Sequence, residues 1–155
     1  MSEQRLVVLI CMDGSKHSDY ALKYYRDHVH QPNNRVYAVH CAHYHSEYWN
    51  KFSMAPSDPA VLQTMIDEDI ARISKVVAHV KDTISDLQLS AEIIKVHGHP
   101  GHALVEKSKE IHASMIVVGS RGVGTVRRTF LGSISDYLIH HAHVPVLVCK
   151  HPQDM

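Results

Sequence analysis

"RLVVLICMDGSKHSDYALKYYRDHV", Arg5 to Val29, changes its hydrophobic period at a single aspartate-glycine pair. Up to Met12 the run is unbroken, apolar and β-branched, which is what a strand buried on both faces requires. Asp13 and Gly14 are turn formers and Ser15 is placed to cap a helix. From Lys16 to about Val29, Ala21, Leu22, Tyr25 and Val29 recur at three- and four-residue spacing, the mark of a helix with one buried face. A doubly buried strand followed by such a helix is the first half of a unit whose next strand lies parallel to it.

The rest of the chain repeats this alternation. "RVYAVHCAHY" reads as a second strand, and "HSEYWNKFSMAPSDP", polar, aromatic and proline-bearing, as a long surface loop. From Ala60 to about Leu87, Leu62, Ile66, Ile70, Ile73, Val77, Val80, Ile84 and Leu87 predict a long amphipathic helix with its polar positions toward water. "AEIIKVHG" is a third strand, Pro100 to Ile111 a helix, "ASMIVVGS" a fourth strand, Ser133 to about His141 a helix and "VPVLVCK" a fifth strand. The order β-α-β-α-β-α-β-α-β predicts an α/β protein with an open, doubly wound parallel sheet, because each crossover helix must cover the sheet and return the chain to its starting end. Ligands collect in such sheets beyond the carboxyl ends of the strands, where strand order reverses. No internal repeat or composition shift divides residues 1–155, so a single domain is expected.

Charge narrows the partners. Sixteen Lys and Arg balance sixteen Asp and Glu, which argues against a nucleic-acid or membrane-surface binder relying on a basic field. Cys11, Cys41 and Cys149 lie far apart, each in a strand-like run and without CxxC spacing, and read as reduced thiols. "MSEQRL" lacks a signal-peptide profile and "LVVLICM" is too short to span a bilayer, so the expectation is a cytoplasmic protein.

Between the fourth strand and the last helix runs "GSRGVGTVRRTFLGSIS", poor in side chains able to build a core. Gly119, Gly122 and Gly132 let backbone approach a ligand without Cβ obstruction. The first N–H groups of the helix opening at Ser133 carry partial positive charge and suit a phosphate. Ser133 and Ser135 add hydroxyls, and Arg121, Arg127 and Arg128 can neutralise anionic charge. The plainer alternative for the glycines and Ser133 is a turn and a helix cap. Asp13, at a strand's carboxyl end near the expected reversal point, can accept hydrogen bonds from ribose hydroxyls or serve as a turn residue or helix cap.

The spacing G-x2-G-x9-G-[ST], Gly119, Gly122, Gly132 and Ser133, resembles the nucleotide-binding signature of the universal stress protein family. The likeness extends to "VVLICMDGSKHSDYAL", "VYAVHCAH", "VHGHPGHALVE", "ASMIVVGSRG" and "LGSISDYLIHHAHVPVLVCK", nearly the whole chain. The poorest match is the segment from Tyr44 to Pro59. The resemblance implies an ATP-binding member with a Rossmann-like sheet of order 3-2-1-4-5, acting as a homodimer formed through the last strand, Val144 to Lys150. By the same resemblance Asp13 sits beside ribose and adenine, and Cys41, where aliphatic residues are common, contacts the base together with Ala42. Gly98 leaves room after the third strand, and Gly119 and Gly122 border the ribose and α-phosphate. Gly132, Ser133, Ile134 and Ser135 hold the phosphates, with Mg²⁺ bridging phosphate oxygens rather than caged by protein.

Catalytic signatures are missing. The chain has no Gly-Lys dipeptide for a P-loop and no G-x-S-x-G elbow. Asp13 falls at the sugar end, away from a γ-phosphate, and Asp136 reads as a dipole complement in a helix's first turn. Binding is therefore favoured over turnover, with a slow ATPase or phosphate-transfer enzyme using the same pocket, or a nucleotide-free dimeric interaction module, as the alternatives. The fifteen histidines lack finger-like spacing and any HExxH, so they are expected to be scattered and half-exposed rather than metal ligands, although His99 with His102, and His140 with His143, are close in sequence. Pro145 suits the start of an edge strand, whose unpaired side invites a second copy unless the tail "HPQDM" covers it.

Overall fold

The computed structural model describes residues 4–44, 56–121 and 131–154. Within them lie β1 (Val7–Cys11), α1 (Lys16–His28), β2 (Arg35–Ala42), α2 (Pro59–Asp86), β3 (Glu92–His97), α3 (Pro100–Glu110), β4 (Met115–Gly119), α4 (Ser133–His141) and β5 (Val146–Cys149), then a 3₁₀ turn at Pro152–Asp154. Strand order is β3-β2-β1-β4-β5, and every pairing is parallel.

β1 is the middle strand, and its apolar run is divided between two cores. Val8 and Ile10 face one layer with Ala21, Leu22 and Tyr25 of α1 and Val80 and Ile84 of α2. Leu9 and Cys11 face the other, with Leu104 and Val105 of α3 and Leu138 of α4. Val8, Leu9 and Ile10 are completely buried, each contributing roughly 1.5–3 kcal/mol by leaving water. A one-residue slip of β1 would exchange the two sets and is disfavoured by both layers at once.

The long helix departs from its expected face. Its buried positions are Asp69, Ile73, Val80 and Ile84, while Ile70 is 53% exposed. The Asp69 carboxylate meets Arg72 at 3.0 Å, and Arg72 also donates to the carbonyl of His43, just after β2. A buried charge needs such a partner, and with it Asp69 stands on the inner face while Ile70 stands outside.

The edges differ. β3 carries exposed Glu92, Lys95 and His97, whereas β5 reads Val146–Cys149 and, among the described residues, pairs with β4 alone. The tail packs on α1, with the His151 ring 5.7 Å from that of His17 and 5.2 Å from that of Tyr20.

Candidate functional site

Strand order reverses between β1 and β4, so the chain leaves these neighbours toward opposite edges and opens a crevice at their carboxyl ends. Asp13 enters it from β1. Its Oδ1 accepts from the Ser15 amide at 2.9 Å and the Ser15 hydroxyl at 2.5 Å, and Gly14 makes the turn at φ +80°. Ser15 caps α1, its hydroxyl oxygen accepting from the Ser18 amide at 3.2 Å, as the sequence predicts.

β2 supplies the next wall. His40 is buried, and its Nδ1 lies 2.9 Å from the Met12 carbonyl, so Nδ1 carries the proton and donates. Burial lowers the pKa of this imidazole; the Met12 bond and Asp13 oppose the shift, and Arg72 and Lys95 add to it. Cys41, half-buried, donates its thiol to the Gly98 carbonyl at 3.6 Å.

β4 and α4 complete the crevice. A Cβ on Gly119 would fall 2.9 Å from the His17 carbonyl, so this glycine is required first by the packing of α1 on β4. The Gly132 amide donates to the Ser120 carbonyl at 2.6 Å, which brings the start of α4 back to the end of β4. Gly132, not Ser133, is the N-cap, and no side chain caps the helix. The N–H groups of Ser133, Ile134 and Ser135 therefore have no intrahelical acceptor. The Ser135 hydroxyl is buried and turned to the Gly132 and Ser120 carbonyls at 2.9 and 3.2 Å, which narrows its expected part to the backbone N–H. Arg121 is only 7% exposed and has no hydrogen bond or ion pair among the described residues.

These groups surround one cavity of about 230 Å³. Asp13, Cys41, Gly119, Arg121, Gly132, Ser133, Ile134 and Ser135 all line it. Ala42 and Gly98 do not: Ala42 is fully buried in the sheet, and Gly98, at φ +100°, shapes the turn into α3. Gly122, Arg127 and Arg128, and the aromatic stretch with Trp49, lie outside the described residues. Val39, His40, Leu104 and Val118 line the cavity without having been singled out. Their position at or near a strand's carboxyl end marked the first, second and last, whereas Leu104 arrives only through the docking of α3. Chemically the cavity offers apolar walls, one carboxylate, and an anion-seeking end made of Arg121 and the α4 amides.

The histidines do not gather. Among the described residues no group of three His, Cys, Asp or Glu can hold a metal. His99 caps α3, its Nδ1 lying 3.4 Å from the His102 amide, and α4 ends at His141, before His143. His17 and His40 are buried rather than half-exposed: His17 lies against Gly119 and the His151 ring, and His40 is bonded to the Met12 carbonyl. No described helix is long and apolar enough to cross a membrane.

Universal stress protein PHOS34 of Arabidopsis thaliana is 26% identical over 162 residues, covering 94% of this chain, which spans 62% of that protein's length. A solved universal stress protein in complex with cAMP superposes with a TM-score of 0.67 at 23% identity, covering 95% of this chain and 98% of its own. A family member from Arabidopsis thaliana with AMP bound gives 0.66 at 16% identity, covering 96% and 94%. These superpositions establish the shared Rossmann-like fold. The model of the universal stress protein family matches residues 5–150, and with the sheet order and the crevice just described, the chain belongs to that family.

Proposed function

We propose that the cavity binds an adenine nucleotide, ATP in the working state with Mg²⁺ bridging phosphate oxygens, and that the chain acts as a cytoplasmic, dimeric regulatory protein of the stress response. The observation that carries this reading is Arg121. A guanidinium taken out of water without a counter-charge among the described residues is costly, and it stands on the same cavity as an uncapped helix start, so both call for an anion. Apolar Val39, Leu104 and Val118 suit a base, and Asp13 suits ribose hydroxyls. Two relatives of this fold were solved with AMP and cAMP, which supports the adenine class. The proposed dimer forms through β5, a reading supported by Leu131 and Ile139, 37% and 46% exposed, which border a groove with Leu147 and Val148.

Calorimetric titration of the purified protein with AMP, ATP and GTP tests the reading. Saturable binding of the adenine nucleotides, with ATP tighter than AMP, is expected. Equal binding of all three, or of none, overturns it. Recovering the nucleotide after long incubation separates a binder, which returns ATP, from a slow ATPase, which yields ADP over several turnovers.

A further inference from the structure

His40 is a buried histidine on the crevice wall whose side chain is committed to backbone. The last rung between β1 and β2 is the Met12 amide donating to the Val39 carbonyl at 2.9 Å. Beyond it the Met12 carbonyl is taken by the His40 imidazole at 2.9 Å, so β2 holds residue Met12 through both its backbone N–H and its C=O. The next residue is Asp13, which then turns through Gly14 and fastens to Ser15. Of the charged groups around the ring, Asp13 comes from the β1–α1 turn, Arg72 from α2 and Lys95 from β3.

We infer that His40 is a positioning residue: its Nδ1–H clamps the Met12 carbonyl and thereby fixes where the Asp13 carboxylate stands at the cavity. The clamp is a property of the folded chain; its consequence for ligand affinity rests on the nucleotide reading above. Only a donor at the Nδ1 position serves. Asparagine carries its amide nitrogen at that same point, one bond beyond Cγ, whereas glutamine reaches the Nε2 position instead and leucine has no donor at all.

The test compares His40→Asn, His40→Gln and His40→Leu with the wild type. Amide hydrogen exchange of Asp13, Gly14 and Ser15 in the ligand-free protein should quicken about tenfold or more in the glutamine and leucine variants and stay within about threefold in asparagine. AMP and ATP affinities should fall together by about tenfold in the same two variants, because the loss lies at the sugar end and not at the phosphates. Comparing asparagine with glutamine keeps the test alive if the leucine variant does not fold. Unchanged exchange in the glutamine variant, or an asparagine variant as fast as glutamine, overturns the clamp. A larger loss for ATP than for AMP overturns the link to Asp13. If the exchange pattern holds while the wild type binds no adenine nucleotide, the clamp stands and the functional reading falls.

Discussion

The amide of Gly132 donates to the carbonyl of Ser120 across 2.6 Å, so the glycine that opens α4 is latched to the residue that follows β4. The latch holds the helix start over the sheet's reversal point. The Ser135 hydroxyl, 3.2 Å from the same Ser120 carbonyl, is the second tie. Three backbone N–H groups and Arg121 are left pointing a positive field at one cavity.

Replacing Arg121 with methionine should separate function from stability. Affinity for ATP is expected to drop at least about tenfold, the worth of one charge-assisted contact. The melting temperature should hold or rise, because a buried charge without a counter-charge among the described residues is exchanged for an apolar chain of similar reach. Calorimetry of ligand-free and ATP-loaded protein checks both, and a lowered melting temperature of the free protein counts against the argument.

Gly119→Ala should destabilise before it affects binding. Its Cβ would meet the His17 carbonyl at 2.9 Å, a helix backbone that has no flexible end to give way. A cost of about 1–3 kcal/mol is expected for such overpacking, read as about 2–4 °C of melting temperature per kcal/mol.

Mild acid should weaken the fold. His30 and His40 both have pKa values lowered by burial from the ordinary 6.5. For His30 the cost is structural as well: Asn34 donates to the Tyr25 hydroxyl at 3.1 Å, and that hydroxyl can then donate to the bare His30 Nδ1 at 3.0 Å, an acceptor lost on protonation. Above the ordinary histidine value neither state is charged. As pH falls through it the unfolded chain takes up protons first, so stability present at neutral pH is lost on the way down through the folded values. Melting temperature should decline from about pH 7.5 to about pH 5.5, a window in which Asp27 and Glu106, held low mainly by hydrogen bonds from Lys23 and Lys109, stay ionised. A flat profile there would contradict the assignment.

Thiol labelling at neutral pH should single out Cys41. Burial pushes the Cys11 thiol far up, helped by Asp13 and Cys41, and pushes Cys149 up to about 11, so both lack thiolate. Cys41 is half-buried on the cavity wall. Maleimide followed by mass spectrometry should show one fast site, slowed by saturating ATP; labelling indifferent to ATP would place the nucleotide elsewhere.

Ile139→Lys should lower the solution mass measured by light scattering from that of a dimer to that of a monomer, with circular dichroism unchanged. The side chain is 46% exposed beside β5, so a charge costs the monomer little and an apolar interface much.

The elements were legible because two periods alternate without interference. The doubly apolar run of β1 and the three-four spacing of α1 leave no other reading, and the ends fall within a few residues of the expected ones. Asp69 was missed because hydropathy ranks it as surface, although Arg72, one turn along the same helix, gives its carboxylate a partner and is itself held by the His43 carbonyl. In the site, Asp13, Gly132 and Ser133 were legible from turn and helix-start chemistry. Gly119 reads as room for a ligand in sequence and turns out to be room for His17 as well. Leu104 carries no local signal, since it depends on how α3 docks, and for His40 the strand end marks the position but not the bond, whose acceptor is a carbonyl from a different strand.

The unlike margins of the sheet bear on growth in number. β3 ends the array with Glu92, Lys95 and His97 turned outward, a hostile surface for an incoming strand, while β5 offers an apolar one. With a single receptive margin, joining across a twofold axis consumes it in both copies at once and leaves only charged borders outside. In the proposed dimer, assembly would then halt at a pair instead of running on as a fibre, and a chain neutralised at Glu92 and Lys95 would lose that stop.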